Sequence, residues 1–236
     1  MSRLHKAWLT VPTAILSLLA VPLLAEVLSI AAQQAGWTKH DLAYYLDQNL
    51  VNFVRPGLKI KITSATIQDS KITVRFTLTD PKGLPLDREG VTTPGTVSTS
   101  FIAAYISKGE KQYTAYTTRI QVSPITNQSA VQPSTDSGGA YAKVAEGEYT
   151  YAFGTTVPAT YDPTLTHSIG VYASRNLTEF NLGTQYDNDV ITWVPVGGTP
   201  TVVRDVVRTE ACNQCHNPLQ AHGGARRKTE LCILCH

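Results

Sequence analysis

The sequence predicts a mainly β protein in which a Greek-key or immunoglobulin-like β-sandwich, or a split barrel, occupies residues 57–200. Apolar and polar residues alternate from Leu58 onward, and a period of two is typical of half-buried strands. The chain contains 11 tyrosines and one methionine, a composition that suits strands better than packed helices. Short alternating segments separated by turn residues are typical of a sandwich.

Seven segments carry the strand pattern, and a reversal separates the second from the third. The reversal is Asp80-Pro81-Lys82-Gly83, whose proline and glycine favour a turn. The stretch 123–139, rich in Ser, Pro, Asn and Gly, predicts a long surface loop. His167, at a strand start, is interpreted as a structural histidine. The predicted strands are 58–63, 72–79, 100–106, 113–122, 147–155, 167–173 and 190–196.

A helical period of more than a few turns appears once, over residues 39–53. We interpret residues 33–56 as a short helical or linker segment before the sandwich. The apolar residues that would share one helix face are Leu42, Tyr45, Leu46, Leu50 and Phe53.

Residues 1–32 have the layout of a secretory signal peptide. Arg3 and Lys6 form a basic start, an apolar run follows from Trp8 to Ala25, and small residues favour cleavage near Ala31. The alternative is a retained membrane helix, since a run of 18 residues lies at the lower edge of the spanning length. Two prolines within the run favour cleavage. No cysteine follows it, so we expect an exported protein without a lipid anchor of its own.

The composition excludes proteins that work by coating nucleic acid. The 20 basic and 18 acidic residues leave a net charge of +2, whereas such proteins need a concentrated basic face. Charged residues make up 16% and apolar residues 42%, so the chain can build a core and is not kept unfolded by charge repulsion.

All four cysteines lie in the last 36 residues, in two C-x-x-C-H motifs. This is the attachment motif of haem c. Two thiols on one short turn can each add to a vinyl group, and the histidine after the second thiol supplies an axial nitrogen to the iron. The sequence therefore predicts at least two covalently attached haems in residues 201–236, the start of an irregular multihaem domain. The motifs consist of Cys212, Cys215 and His216, and of Cys232, Cys235 and His236.

Three other interpretations fit the cysteines alone. Their spacing also matches a four-thiolate zinc ribbon, two disulfide bonds suit an oxidising compartment, and a C-x-x-C pair can serve thiol redox chemistry. None of the three requires a histidine directly after each pair, and the redox pair lacks its usual βαβ context. Haem attachment accounts for both histidines.

One further histidine, His222, is predicted to be a distal iron ligand. We assign it to the second haem, because the link from His216 is too short to wrap around one macrocycle. Gly223 and Gly224 allow the backbone to pass close to a porphyrin. A basic run follows and can pair with haem propionates or simply be solvated. The run is Arg226, Arg227 and Lys228.

The chain resembles the outer-membrane decahaem c-type cytochromes of the OmcA/MtrC kind. The resemblance rests on residues 74–80, 147–151 and 166–172, and above all on 202–236 with its two motifs. It implies a barrel or split-sandwich domain before a multihaem domain, with the six motif residues binding haem and His222 as a distal ligand. Family members carry many more motifs than these two, and the chain stops on an axial histidine. We therefore interpret it as a fragment of a longer protein.

The predicted function is electron transfer between haems. The resemblance implies an extracellular mineral, such as a metal oxide, or a soluble acceptor, and other redox proteins or haems of the same assembly as partners. Bis-histidine ligation leaves no open iron position, which favours a carrier over a catalyst. No nucleic acid is expected, and the expected location is the periplasm or the outer-membrane surface. Two alternatives are a multihaem reductase of a small oxyanion and a binding module whose tail holds zinc or disulfides.

The tail has few apolar residues, so we predict that it depends on haem for its order. Replacing both cysteines of a motif with alanine should remove the tail's protection from proteolysis, measured as the rate of cleavage after residue 200. Unchanged protection would show that haem does not order this segment.

Overall fold

A computed structural model describes residues 36–236 of the chain. The predicted signal peptide, residues 1–32, lies outside the described residues. Between residues 36 and 236, no helix is long and apolar enough to cross a membrane.

Ten strands of the described residues form two four-stranded antiparallel sheets and a separate hairpin. The first sheet has the order β1-β2-β8-β7, the second β10-β9-β3-β4, and the hairpin pairs β5 with β6. The strands are β1 (Lys59–Gln68), β2 (Lys71–Thr79), β3 (Val97–Ile106), β4 (Tyr113–Ala115), β5 (Thr118–Val122), β6 (Ser129–Pro133), β7 (Ala140–Ala145), β8 (Glu148–Thr156), β9 (His167–Asn176) and β10 (Thr184–Trp193).

The chain changes sheet between β2 and β3, between β4 and β7, and between β8 and β9. Such exchange of strands between two packed sheets is characteristic of Greek-key sandwiches. The prediction of a mainly β sandwich is confirmed. The predicted reversal after β2 also forms: Gly83 N donates to Asp80 O at 3.0 Å, and Gly83 has a φ of +83°.

Aromatic rings on the inner faces join the two sheets. Phe101 of β3 stacks on Tyr151 of β8, with ring centres 4.7 Å apart, and lies 5.4 Å from Phe76 of β2. Both phenylalanines are at most 1% exposed. Because these residues come from opposite sheets, the contacts fix the sheets face to face.

The two sheets also meet along the edges of β1 and β10. Asp187 and Asp189 of β10 point their carboxylates at β1, where they accept hydrogen bonds from Ile60 N at 2.9 Å and Ile62 N at 2.8 Å. The side chain of Lys61 lies 3.2 Å from Asp189 Oδ2. We call this contact the acidic seam. It satisfies backbone N–H groups of β1 that face away from β2.

A buried arginine ties the segment before β1 to the sandwich. Arg175 of β9 has no exposed surface and donates to four carbonyl oxygens: Val54 at 2.7 Å, Arg55 at 2.7 Å, Gly57 at 2.9 Å and Pro94 at 3.0 Å. Burial, with a smaller contribution from Arg55, lowers the pKa of Arg175 to about 10, so the side chain is charged at neutral pH. One guanidinium therefore satisfies carbonyls from two separate loops.

His167 has the surroundings of the structural histidine that the sequence predicts. Its ring is buried, and Nδ1 donates to Leu165 O at 2.8 Å because a carbonyl oxygen can only accept. Nε2 is then the acceptor for the hydroxyl of Tyr116 at 2.7 Å. Burial lowers the pKa of His167, which keeps the imidazole neutral.

The expected helix over residues 39–53 is interrupted. A 3-10 turn covers Leu42–Tyr45, and a separate helix, α1, covers Gln48–Val54. Asp47 Oδ1 accepts hydrogen bonds from Asn49 N and Leu50 N, so it acts as an N-cap that starts a new helix. The shared apolar face does not form, since Leu42, Tyr45 and Phe53 are 56%, 69% and 65% exposed.

Two predicted segments differ from the structure around the hairpin. Residues 113–122 are not one strand, because Tyr116 still bonds to β3 through Ala103 O while Thr117 O already accepts from Ser134 N. The predicted loop 123–139 contains β6, and β7 follows it. The last predicted strand, 190–196, begins earlier, at Thr184, and ends at Trp193, two residues before a proline that cannot donate to a sheet.

Replacing Arg175 with methionine should strongly destabilise the sandwich, because four buried or partly buried carbonyls would lose their donor. We expect a loss of about 3 kcal/mol or more, measured as the shift of the urea unfolding midpoint at an unchanged slope. Arg75→Met is the control, since Arg75 pairs with Glu148 at an exposed position. Equal effects of the two substitutions would contradict the assigned role of Arg175.

Candidate haem-attachment site

Both C-x-x-C-H motifs fold into the same turn. A short helix ends at the first cysteine of each motif: α2 (Thr209–Cys212) and α3 (Thr229–Cys232). The amide of the motif histidine then donates to the carbonyl of the first cysteine, at 3.0 Å for His216 and 3.1 Å for His236. Each motif thus presents two thiols and one imidazole from a single turn, the arrangement that covalent haem attachment requires.

The two turns begin side by side. Thr209 and Thr229, the first residues of α2 and α3, are 3.2 Å apart between their hydroxyl oxygens. Thr229 N donates to Thr209 Oγ1 at 2.9 Å, and Thr209 Oγ1 donates to Glu230 Oε2 at 2.6 Å. Burial raises the pKa of Glu230, but the bonds from Thr209 outweigh it and the net pKa is lowered. The carboxylate is therefore charged and joins the two motifs.

A sequence repeat could have revealed these residues. The pattern Thr-Glu-x-Cys-x-x-Cys-His occurs twice, from Thr209 to His216 and from Thr229 to His236. The prediction from the sequence considered only the cysteines and histidines of the two motifs, so it missed the two threonines and Glu230.

The second motif docks on the outer face of the second sheet. Leu231 and Leu234 are each 1% exposed and pack against Ile102 of β3. Gly170 of β9 lies beneath them. A side-chain carbon built at Gly170 would overlap Leu231 and lie 2.7 Å from Leu234 Cδ1. The missing side chain of Gly170 therefore creates the recess that receives both leucines.

Asn188 of β10 holds the loop that precedes the second motif. Its Nδ2 donates to Ala225 O at 2.9 Å, and its Oδ1 accepts from Arg227 N at 2.6 Å. Lys228 Nζ lies 3.6 Å from Asp189 Oδ1 at the acidic seam. The loop is thus fixed by side chains of one strand.

His222 and His236 both line a cavity of about 380 Å³, together with Cys232 and Cys235. The two ring centres are 6.4 Å apart. Two imidazoles that bind one metal ion from opposite sides have ring centres about 6 Å apart, because each metal–nitrogen bond is about 2 Å and the nitrogen lies about 1 Å from its ring centre. The residues present therefore fit an iron between His222 and His236.

A tight turn of the backbone determines the position of the His222 ring. Ala221 and Arg226 form a β-bridge, and His222, with a φ of +50°, lies in the turn between them. Gly223 and Gly224 continue the turn at φ of +72° and +90°, conformations that glycine adopts without strain. The two glycines are needed for this reversal of the chain.

The surroundings keep His222 neutral and the second pair of thiols protonated. Burial lowers the pKa of His222, and the positive charge of Arg226 and the nearby His236 add to the effect. Burial raises the pKa of both Cys232 and Cys235. A neutral imidazole offers the lone pair that a metal ion needs.

The first motif lies in a more open environment. Cys215 and His216 are exposed and Cys212 is half-buried. Among residues 36–236, no second histidine is in ring contact with His216. The structure thus brings His222 to the second motif and not to the first.

The three residues of the basic run make different contacts. Arg226 lines the cavity and lies over the ring of Tyr172 at 4.8 Å. Arg227 donates to Gly224 O at 2.9 Å and lies over Tyr186, and Lys228 pairs with the acidic seam. Only Arg226 faces the second motif.

In the part of the chain that the structure describes, no three His, Cys, Asp or Glu side chains converge as metal ligands, and all four cysteines are free thiols. Zinc binding and disulfide formation remain the alternatives to haem attachment for these four residues.

Comparisons with known proteins point to multihaem cytochromes. The chain is 33% identical over 107 residues to the multiheme cytochrome MtrC of Shewanella baltica (strain OS185). The crystal structure of the outer membrane decaheme cytochrome OmcA matches 76% of the chain with a TM-score of 0.58 and 25% identity. Over part of its length, the chain is therefore similar to the OmcA/MtrC-like decahaem cytochromes.

The match to this OmcA/MtrC family is partial. The chain spans 16% of the length of the MtrC sequence and 29% of OmcA. The crystal structure of MtrC from Shewanella baltica OS185 shares the fold, with a TM-score of 0.54 over 77% of the chain and 30% of that protein at 23% identity. No protein-family profile matches the chain.

Gly170→Ala should displace the second motif from the sheet at a cost of about 1–3 kcal/mol, because the added carbon overlaps Leu231. The measurement is a double-mutant cycle with Leu231→Ala, read by urea unfolding and by tryptic cleavage at residues 226–228. Leu231→Ala makes room, so the cost of Gly170→Ala should shrink in that background. Purely additive costs would contradict the proposed packing.

Proposed function

We propose that the chain carries electrons through two covalently attached c-type haems, as part of an exported multihaem cytochrome. The observation that carries this proposal is that both C-x-x-C-H motifs form the same turn, with two thiols and an imidazole on each. The electron-transfer role in general is supported by the multihaem relatives, OmcA and MtrC.

Each motif residue has a defined role. Cys212 and Cys215 attach the first haem and His216 binds its iron. Cys232 and Cys235 attach the second haem, and His236 is its proximal ligand. His222 is the distal ligand of the second haem, which is supported by the 6.4 Å between its ring and that of His236.

The bound haems supply an iron that changes between the ferric and ferrous states. The residues of the chain bind the iron, hold the haems in position and shield them from solvent. With His222 and His236 both bound to it, the second iron would have no open position, which favours electron transfer over catalysis on a bound substrate. The exposed first motif gives electrons a route to neighbouring redox centres.

The threonine–glutamate contact supports transfer between the two haems. Thr209 and Thr229 lie 3.2 Å apart at the starts of the two attachment helices, and Glu230 bonds to Thr209. The two attachment turns therefore begin at adjacent points and are held by side chains rather than by the linking loop. A fixed separation of this kind suits direct electron exchange.

We propose that the protein is exported to the periplasm or the outer-membrane surface, which is supported by its similarity to the outer membrane decaheme cytochrome OmcA. We propose that its partners are other redox proteins or haems of the same assembly. The terminal acceptor in this proposal is an extracellular mineral, such as a metal oxide, or a soluble molecule.

The test is to produce the chain in a host that matures c-type cytochromes. We expect two haems per chain by mass and by the pyridine haemochrome assay, and a reduced spectrum with the sharp α-band of low-spin haem c. Colourless protein without added mass would overturn the proposal, and a fully high-spin spectrum would favour the oxyanion reductase instead.

Replacing His222 with alanine should open one iron position on the second haem only. We expect the low-spin α-band of the second haem to be lost and the reduced protein to bind more carbon monoxide than the unchanged chain, since a five-coordinate iron has a free site. His40→Ala, an exposed histidine far along the chain, is the matched control. If His222→Ala keeps the low-spin spectrum of the unchanged chain and binds no additional carbon monoxide, His222 is not a ligand.

A further inference from the structure

The cavity between His222 and His236 is closed on one side by the β5–β6 hairpin of the sandwich. Arg119 of β5 and Gln132 and Pro133 of β6 line it, opposite Arg226 of the tail. The lining therefore contains two arginines from distant parts of the chain. It contains no aspartate or glutamate.

Neither arginine has an anionic partner among residues 36–236. No ion pair involves Arg119 or Arg226, whereas Arg208 and Lys228 in the same tail both pair with aspartates. Arg226 Nε is buried and has no hydrogen-bond acceptor. A buried guanidinium donor without an acceptor is costly, so a polar group of a ligand is expected at this point.

The hairpin presents a polar pair to the same cavity. Arg119 and Gln132 are directly opposite each other across the two strands, and both line the cavity. Both side chains are otherwise exposed, so Arg119 can reach an anionic group in the cavity from its solvent side.

We propose that Arg119 and Arg226 bind the propionate carboxylates of the second haem. Guanidinium groups bind carboxylates through two parallel hydrogen bonds, and each haem carries two such carboxylates. The inference rests on the proposed function, because it requires a haem on Cys232 and Cys235. It makes the sandwich a part of the haem site rather than a separate domain, since Arg119 belongs to β5.

The two arginines also set the electrostatic environment of the second iron. A propionate that is paired with arginine stabilises the ferric state less than a free carboxylate does, because its charge is neutralised. Loss of either arginine should therefore lower the reduction potential of the second haem. The first haem, bound at Cys212 and Cys215, should not change.

The experiment is a spectroelectrochemical titration of the haem-loaded chain with Arg119→Gln and Arg226→Gln. We expect one of the two midpoint potentials to fall in each variant and the propionate bending band in the resonance Raman spectrum to shift. Arg119→Lys, which keeps the charge but not the planar fork, should keep the potential nearer to that of the unchanged protein. Arg75→Gln, an exposed arginine of β2, is the control for the loss of one charge.

Two results would overturn the inference: unchanged potentials and Raman bands in both variants, or an equal fall in Arg75→Gln. Arg119 is exposed on the hairpin, so its variant carries the test alone if Arg226→Gln does not fold. Failure of the proposed function is recognised separately, because the unchanged protein would then hold no haem.

Discussion

The recess over Gly170 is the constraint on which the position of the second motif depends. Leu231 and Leu234 enter it from α3, and Asn188 of β10 fixes the preceding loop by two hydrogen bonds. Strand β9 is central in its sheet, so the recess is a rigid feature of the sandwich. The direction of His236 and of its two cysteines follows from these contacts. The attachment turn is thus oriented by the sheet and not by its own short helix.

These contacts are sufficient to position the tail, but they bury little apolar surface for a segment as long as residues 201–236. Two buried leucines and a few polar contacts must offset the loss of backbone entropy over residues 201–236, where Val203 and Val206 remain exposed. A covalently held porphyrin would supply the missing apolar surface. The sandwich contributes the recess, the loop contacts and part of the cavity lining, so residues of both parts of the chain surround the cavity.

Local patterns predicted the regular strands. Strands β1 and β2 alternate clearly because one face is buried, and the proposal of haem attachment rests on the five residues of each motif. The β5–β6 hairpin was not predicted, since its residues, among them Ile120 and Val131, are almost all exposed and show no alternation of buried and exposed positions. Its orientation depends on a partner that is distant in sequence. The role of Gly170 could not be predicted either, because a glycine within a strand does not indicate which residues pack against it.

The acidic seam has a consequence for association between molecules. An edge strand normally offers a row of free amides to which another chain can add by backbone pairing. Along β1 these amides are taken by carboxylates of Asp187 and Asp189, which have no donor of their own to continue a ladder. Backbone pairing of a neighbouring copy is therefore blocked at the part of the β1 edge that contains Ile60 and Ile62.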